Sequence, residues 1–199
     1  MIAELNIVLL LAFVLIMSYF YVKSVGPAAL EQEIGEVAYK KCEQYRVIAS
    51  IPFYLIVLNY LVYFLYPLSI PLPRHFPWDY NLTATAATAI LIPSLYLMLR
   101  GVKDAGRETI SPRKEHSLYG GIYETIRHPQ ALGEVWLYLV IALFLNSPFL
   151  TLFSLIFFPL FYYFSLKEED DLVIRYGQTY VDYKEKTGMF LPKRKTETD

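Results

Sequence analysis

Two short segments combine side chains that could bind a polar ligand or transfer a proton. The first, GIYETIRHPQALGE at 121–134, places Arg127, His128 and Pro129 before an apolar stretch. Pro129 suits the first turn of a helix, where free backbone N–H groups favour anions, so His128 and those N–H groups are expected to hold a carboxylate. Glu134 lies about one turn into the apolar stretch, where an ionisable side chain is costly and usually functional.

The second segment is KEEDD at 167–171, which follows another apolar stretch. Clustered carboxylates at a membrane surface repel one another, which suggests a bound cation or a basic partner, although a solvated helix face is the simpler reading of the run alone. A hairpin through residues 146–148 would bring Glu168 and Glu169 beside the RHP turn. His116 is expected to fold back over the same place.

Five apolar stretches must position these side chains. The chain is 55% hydrophobic over 199 residues, too apolar for an ordinary soluble domain. Five stretches are long enough, or nearly so, to cross about 30 Å of hydrocarbon as helices. They are residues 5–22, 47–66, 82–99, 131–146 and 149–166, of which the fourth is short.

The expected fold is therefore all-α, a single membrane domain over 1–199 with five transmembrane helices. Residues 100–130, rich in Gly, Ser and Thr, are predicted to form an irregular loop. Residues 167–192 are predicted to form a polar helical tail, with Tyr176, Tyr180 and Tyr183 on one face if the helix continues past Gly177. Both segments are expected to bind a ligand at the inner membrane surface.

Positive charge is distributed unequally. All 18 Lys and Arg residues except Arg74 fall in 23–46, 100–127 and 167–195, segments that five spans would place on one side. The positive-inside rule then puts the amino terminus outside and the carboxyl terminus and site in the cytoplasm. Membrane lipids are the expected surroundings, no nucleic-acid partner or metal is expected, and the oligomeric state is left open. Cys42 is the one cysteine, so no cysteine-based disulfide or zinc site is available within the chain.

In combination, these motifs resemble the isoprenylcysteine carboxyl methyltransferases and their prokaryotic relatives. The resemblance covers roughly the last 85 residues. It rests on HSL at 116–118, GIY at 121–123, RHP at 127–129 with Gly133, Glu168-Glu169, and YGxxYxxY at 176–183 followed by KTGMFLP. The order and spacing together are specific, whereas RHP alone is shared with membrane sterol reductases and phospholipid N-methyltransferases.

The resemblance implies an S-adenosylmethionine-dependent methyltransferase acting on a hydrophobic or lipidated acceptor. Glu168 would meet the cofactor's ammonium and ribose hydroxyls, and tyrosine faces would meet its sulfonium or adenine. An ionised carboxylate or thiolate acceptor needs no base, whereas a lipid amine does, and Glu134 or Glu169 would then serve. The implied cofactor-binding residues are His116, Ser117, Leu118, Tyr123, Arg127, His128, Pro129, Gln130 and Glu168.

Two positions depart from the family's pattern. Ala131 replaces a usual Tyr after the RHP turn, and Phe164 replaces an arginine thought to meet the acceptor, with Lys167 one turn on as a substitute cation. Two other functions stay open at this point. One is a reductase that uses NADPH and is related to the sterol enzymes, and the other is a non-enzymatic membrane protein.

Overall fold

The computed structural model describes residues 1–114 and 120–193, and helices account for most of this part of the chain. Two 3-10 turns, Gly106–Thr109 and Gly121–Glu124, precede the fifth helix. The expected all-α class is confirmed, because the described residues contain no strand, only an isolated bridge between Ile126 and Gly188. The helices are α1 (Ile2–Ser24), α2 (Pro27–Ile34), α3 (Val37–Leu65), α4 (Tyr80–Ala105), α5 (Pro129–Phe144), α6 (Pro148–Ser154), α7 (Phe157–Tyr176) and α8 (Gln178–Lys186).

Four helical stretches of the described chain are long and apolar enough to cross a membrane. They are Ile2–Ser24, Val37–Leu65, Tyr80–Thr109 and Pro148–Tyr176. Helix α5 is apolar but has only 16 residues, which span about 24 Å against a hydrocarbon thickness of about 30 Å. The structure therefore supplies four full-length candidate spans, and α5 as a fifth span stays a prediction.

Several helix boundaries differ from those predicted. Helix α3 begins at Val37 rather than 47, and α4 with its 3-10 extension continues past 99 to Thr109, so the predicted loop 100–130 begins as helix. The predicted span 149–166 is two helices, α6 and α7, separated at Leu155 and Ile156. Apolar length detects only the part of a helix that suits lipid, and these helices extend beyond it with polar residues.

Aromatic side chains pack between several of the helices. The ring of Tyr138 on α5 stacks on Phe157 of α7 at a centroid distance of 3.8 Å. The hydroxyl of Tyr60 on α3 lies 3.0 Å from the Ser154 hydroxyl on α6, so this buried polar group is paired. The core thus joins α3, α5, α6 and α7.

Two glycines let α4 and α5 approach closely. A Cβ added at Gly133 would lie 2.5 Å from the Ser94 carbonyl oxygen and 2.6 Å from the Met98 nitrogen. A Cβ at Gly101 would lie 2.7 Å from Cγ of Gln130. Because backbone stands against backbone here, the start of α5, and with it the RHP turn, is fixed relative to α4.

Candidate active site

A cavity of about 250 Å³ lies among α1, α3, α4, α5, α7 and α8. Its volume is just below the roughly 300 Å³ at which small-molecule pockets usually begin. Its apolar lining is Met17, Tyr21, Ala49, Phe53, Tyr54, Ala105, Ala131, Phe161, Phe164 and Leu172. Its polar lining is Arg46, Ser50, Glu108, Thr109, Tyr123, Arg127, His128, Gln130, Glu134, Glu168, Tyr176, Tyr180 and Tyr183.

The segment after α8 holds the RHP turn through its backbone. The nitrogen of Arg127 donates to the carbonyl oxygen of Gly188 at 2.9 Å, and the nitrogen of His128 donates to that of Met189 at 3.1 Å. The hydroxyl of Tyr183 donates to the carbonyl oxygen of Tyr123 at 2.6 Å. The turn is therefore stabilised by residues about sixty positions later in the sequence.

Glu169 is the centre of a buried ion cluster. Its Oε1 accepts a hydrogen bond from Arg127 Nε at 2.7 Å and lies 3.1 Å from His128 Nε2, while its Oε2 pairs with Lys184 Nζ at 2.8 Å. Arg127 also donates to the carbonyl oxygen of Thr187. Both carboxylate oxygens are thus engaged, and Glu169 does not line the cavity. This geometry favours a role for Glu169 in positioning the turn over its expected role as a catalytic base.

His128 is held between two glutamates. Its Nδ1 lies 3.4 Å from Glu168 Oε2, opposite the contact of Nε2 with Glu169. Burial disfavours the charged ring, but the hydrogen bonds to Glu168 and Glu169 outweigh it, so the pKa of His128 is raised. A charged ring directs both N–H groups to these carboxylates, which does not fit the expected contact with a ligand carboxylate.

The first turn of α5 offers other donors for an anion. Helix α5 has no side-chain cap, and Pro129 carries no N–H. The N–H groups of Gln130 and Ala131 have no intrahelical partner at this end, so they can bind a carboxylate. The side chain of Gln130 donates to Thr109 Oγ1 at 3.0 Å, which aligns this turn with the end of α4.

Glu168 and Glu134 present carboxylate oxygens to the cavity. The side chain of Glu168 is 32% exposed, and its Oε1 has no hydrogen-bond partner within 1–114 and 120–193. Glu134 lines the cavity and makes no hydrogen bond or ion pair with any residue that the structure describes. Both side chains can therefore accept hydrogen bonds from a bound ligand.

The tyrosines expected at the site line the cavity, although not from one helix. Gly177 adopts φ 59°, which ends α7 after Tyr176, so the expected continuous face through Tyr180 and Tyr183 is wrong. Burial raises the pKa of Tyr183 to about 12 and raises that of Tyr123 as well, which keeps both hydroxyls protonated. Tyr123 donates to the carbonyl oxygen of Gly101 at 3.3 Å.

Pro129 is buried as the first residue of α5 and does not line the cavity. His116, Ser117 and Leu118 lie outside the described residues.

Arg46 also lines the cavity, although its sequence position indicates only membrane topology. Arg46 on α3 donates from Nη1 to the carbonyl oxygens of Glu108 and Thr109, both at 2.9 Å, and from Nη2 to that of Ser24 at 3.3 Å. Its position just before the apolar part of α3 was a signal in the sequence, but no spacing connected it to Glu134 or Glu168.

Lys167, in contrast, does not replace the arginine expected at position 164. Its ammonium pairs with Asp170 at 2.9 Å, its side chain is 42% exposed, and it does not line the cavity. Phe164 is buried and stacks on Tyr21 at 4.7 Å. Arg46 therefore brings a cation to the cavity lining, whereas Lys167 does not.

A second buried pair was also missed. Arg175 on α7 donates to Glu108 Oε1 at 2.5 Å, and Glu108 Oε2 accepts from the nitrogen of Arg113 at 3.0 Å. This pair ties the end of α4 to the end of α7 behind the cavity. The sequence places the two residues 67 positions apart, with no motif to join them.

Residues 83–179 match the sequence model of a family described as phospholipid methyltransferase. This part of the chain is similar to that family. The matched segment is just under half of the 199 residues and runs from α4 into α8, so it includes the RHP turn, Glu134 and Glu168 and leaves Arg46 outside. The chain matches no curated protein and no solved structure.

The family match confirms the resemblance drawn from the motifs, since these are membrane methyltransferases of the isoprenylcysteine-methyltransferase type. With its apolar helices, the chain is an integral membrane methyltransferase. The reductase and the non-enzymatic alternatives gain no support from the match.

Proposed function

We propose that this methyltransferase transfers the methyl group of S-adenosylmethionine to the amine of a membrane phospholipid. The observation that carries the proposal is the pair of carboxylates in one cavity, Glu168 beside the RHP turn and Glu134 beside the apolar lining. The similarity to phospholipid methyltransferases supports this acceptor class. An ionised carboxylate or thiolate acceptor needs no base and would leave Glu134 without a role.

The donors and acceptors around the RHP turn fit this cofactor. When bound, S-adenosylmethionine supplies a methyl group on a sulfonium sulfur, which leaves with the C–S electron pair as the acceptor nitrogen bonds to the carbon. Glu168 Oε1 is available to an ammonium or hydroxyl, and the N–H groups of Gln130 and Ala131 to a carboxylate. Tyrosine faces in the lining favour a cationic centre. The proposed cofactor site also includes His116, Ser117 and Leu118, as the resemblance to the isoprenylcysteine methyltransferases implies.

Glu134 acts on the acceptor. A lipid amine is protonated at neutral pH and carries no lone pair until it loses that proton, which we assign to the Glu134 carboxylate. The surrounding apolar side chains exclude water and hold the amine in line with the methyl group. We place the polar part of the cavity at the cytoplasmic face, where the positive-inside rule puts the basic segments.

A binding measurement tests the cofactor assignment. Glu168→Ala in purified protein in nanodiscs is expected to weaken S-adenosylmethionine binding about tenfold or more, since a charge-assisted hydrogen bond is lost. Asp170→Ala is the matched control, because Asp170 is exposed on the same helix and pairs only with Lys167. Equal affinity in the Glu168 variant would show that the site assignment is wrong.

The acceptor is tested with labelled cofactor and a panel of lipids. Methyl transfer to phosphatidylethanolamine is expected, with little or none to a prenylcysteine or a small thiol. Transfer to the prenylcysteine alone would retain the enzyme class and overturn the amine acceptor.

A further inference from the structure

Arg46 keeps hydrogen-bond donors unused inside the cavity. A guanidinium group has five N–H donors, and Arg46 directs three of them to the carbonyl oxygens of Glu108, Thr109 and Ser24. The Nε–H and one N–H of Nη2 have no partner within 1–114 and 120–193. No carboxylate in those ranges forms an ion pair with it. A cation in this setting is stabilised by an anion that enters the cavity.

The position of Arg46 along α3 corresponds to the depth at which lipid phosphates lie in a membrane. The residues just before it, Lys40, Lys41 and Glu43, are charged, whereas α3 is apolar from Val47 onward. This boundary corresponds to the edge of the hydrocarbon, where the phosphates of membrane lipids lie. The three carbonyl partners belong to the last residue of α1 and to the 3-10 turn that ends α4, so they lie at the same boundary.

A path leads from Arg46 to the lipid. Arg46, Ser50 and Tyr54 are spaced four residues apart, lie on one face of α3 and all line the cavity. Each step is about 6 Å along the helix, so the path is about 12 Å long. Tyr54 is 71% exposed within an apolar span, which opens this side of the cavity towards the bilayer. A lipid with its phosphate at Arg46 can extend its chains along this path.

We propose that Arg46 binds the phosphodiester of the acceptor lipid while Glu134 receives its amine. This inference rests on the function proposed above and assigns the acceptor half of the same site. The unused N–H groups are on adjacent nitrogens of the planar guanidinium, a geometry that matches two phosphate oxygens. The cavity therefore selects a zwitterionic aminophospholipid over a long-chain amine that has no phosphate.

Native mass spectrometry of the full chain with S-adenosylmethionine tests this selectivity. The ligands are a short-chain phosphatidylethanolamine and hexadecylamine. Arg46→Gln is expected to lower phosphatidylethanolamine affinity about tenfold or more and to leave hexadecylamine affinity unchanged. Arg46→Lys keeps the charge but loses the paired N–H donors of the guanidinium, so its phosphatidylethanolamine affinity should lie between those of the wild type and Arg46→Gln. Lys41→Gln, at an exposed position of the same helix outside the cavity, is the control.

Arg46 also donates to backbone carbonyl oxygens, so its replacement could disturb folding. A second measurement therefore uses only the wild-type protein. Short-chain phosphatidic acid is expected to displace phosphatidylethanolamine from the wild-type protein, and uncharged diacylglycerol is not. Failure of phosphatidic acid to compete, or stronger competition by farnesylcysteine, would overturn the phosphate assignment.

The outcomes separate this inference from the proposed function. Equal loss of both ligands in Arg46→Gln, or no loss of either, overturns the role of Arg46 while wild-type S-adenosylmethionine binding and lipid methylation stand. If the wild-type protein binds no S-adenosylmethionine, the proposed function itself fails.

Discussion

At the scale of single residues, the three glutamates Glu134, Glu168 and Glu169 differ in how their carboxylates are bonded. Glu169 is saturated by Arg127, His128 and Lys184 and stabilises the turn. One carboxylate oxygen of Glu168 contacts His128, and the other faces the cavity without a partner among the described residues. Glu134, with no ion-pair partner among the residues described, is free to exchange a proton. Neighbouring carboxylates thus differ in function because their surroundings differ.

Glu134→Gln should separate chemistry from binding. The amide keeps the size of the side chain but cannot take a proton, so kcat for phosphatidylethanolamine is expected to fall about 100-fold or more with S-adenosylmethionine affinity unchanged. The deficit should shrink as the pH approaches the amine's own pKa, because the amine then loses its proton without help. Initial rates with labelled cofactor across a pH series measure both effects.

Glu33→Gln is the control for this variant, since Glu33 is exposed on α2 and away from the cavity. An unchanged kcat in Glu134→Gln, or a parallel loss of cofactor affinity, would contradict the role of base.

At the scale of helices, the contact between α4 and α5 determines where the reactive turn lies. Gly133 and Gly101 remove the side chains that would hold the two backbones apart. Gln130, one residue into α5, is then close enough to bond Thr109. A change in the spacing of the two helices would therefore move the first turn of α5.

Gly133→Ala is expected to destabilise the protein by about 1–3 kcal/mol, since the new methyl group meets backbone atoms that cannot rotate away. Thermal unfolding in detergent should show a lower midpoint, and S-adenosylmethionine affinity should fall with it. Gly26→Ala is the comparison, because its nearest neighbour is Asp171 Oδ1 at 3.8 Å, an ordinary contact. Equal midpoints for the two variants would mean that α4 and α5 pack less closely than described.

At the scale of the whole molecule, the distribution of charge and the position of the cavity agree. The polar lining comes from 46, 108–134 and 168–183, which fall largely within the basic segments of the chain. A cofactor that is charged and a lipid that is not soluble can then reach one cavity by different routes. This arrangement would explain why a methyltransferase of this kind is embedded in the membrane.

Cysteine labelling tests the proposed orientation. Cys42 is the one cysteine of the chain, so Cys42→Ser provides a background without thiols. In that background, His75→Cys is expected to react with a membrane-impermeant maleimide in intact cells, and Lys186→Cys only after permeabilisation. The reverse pattern would place the cavity away from the cytosolic supply of S-adenosylmethionine and contradict the topology.

The sequence predicted local features well and distant pairings poorly. Apolar length located the helices, and the costly placement of Glu134 in an apolar stretch singled out a residue that lines the cavity. Arg46 was missed because a basic residue at a span end already has a sufficient explanation in topology. The pairing of Glu169 with Lys184 was missed because it depends on the tail folding back onto α7. The spacing of residues in the sequence gives no sign of that fold-back.

That folding back has a consequence for biosynthesis. Gly188 and Met189 supply the carbonyl groups that fix the turn at Arg127 and His128, yet the ribosome adds them after the candidate spans have been synthesised. The membrane helices can insert and associate while the turn still lacks its partners. The proposed site is therefore completed last, and we expect a chain that ends before residue 187 to insert in the membrane and to show no methyl transfer.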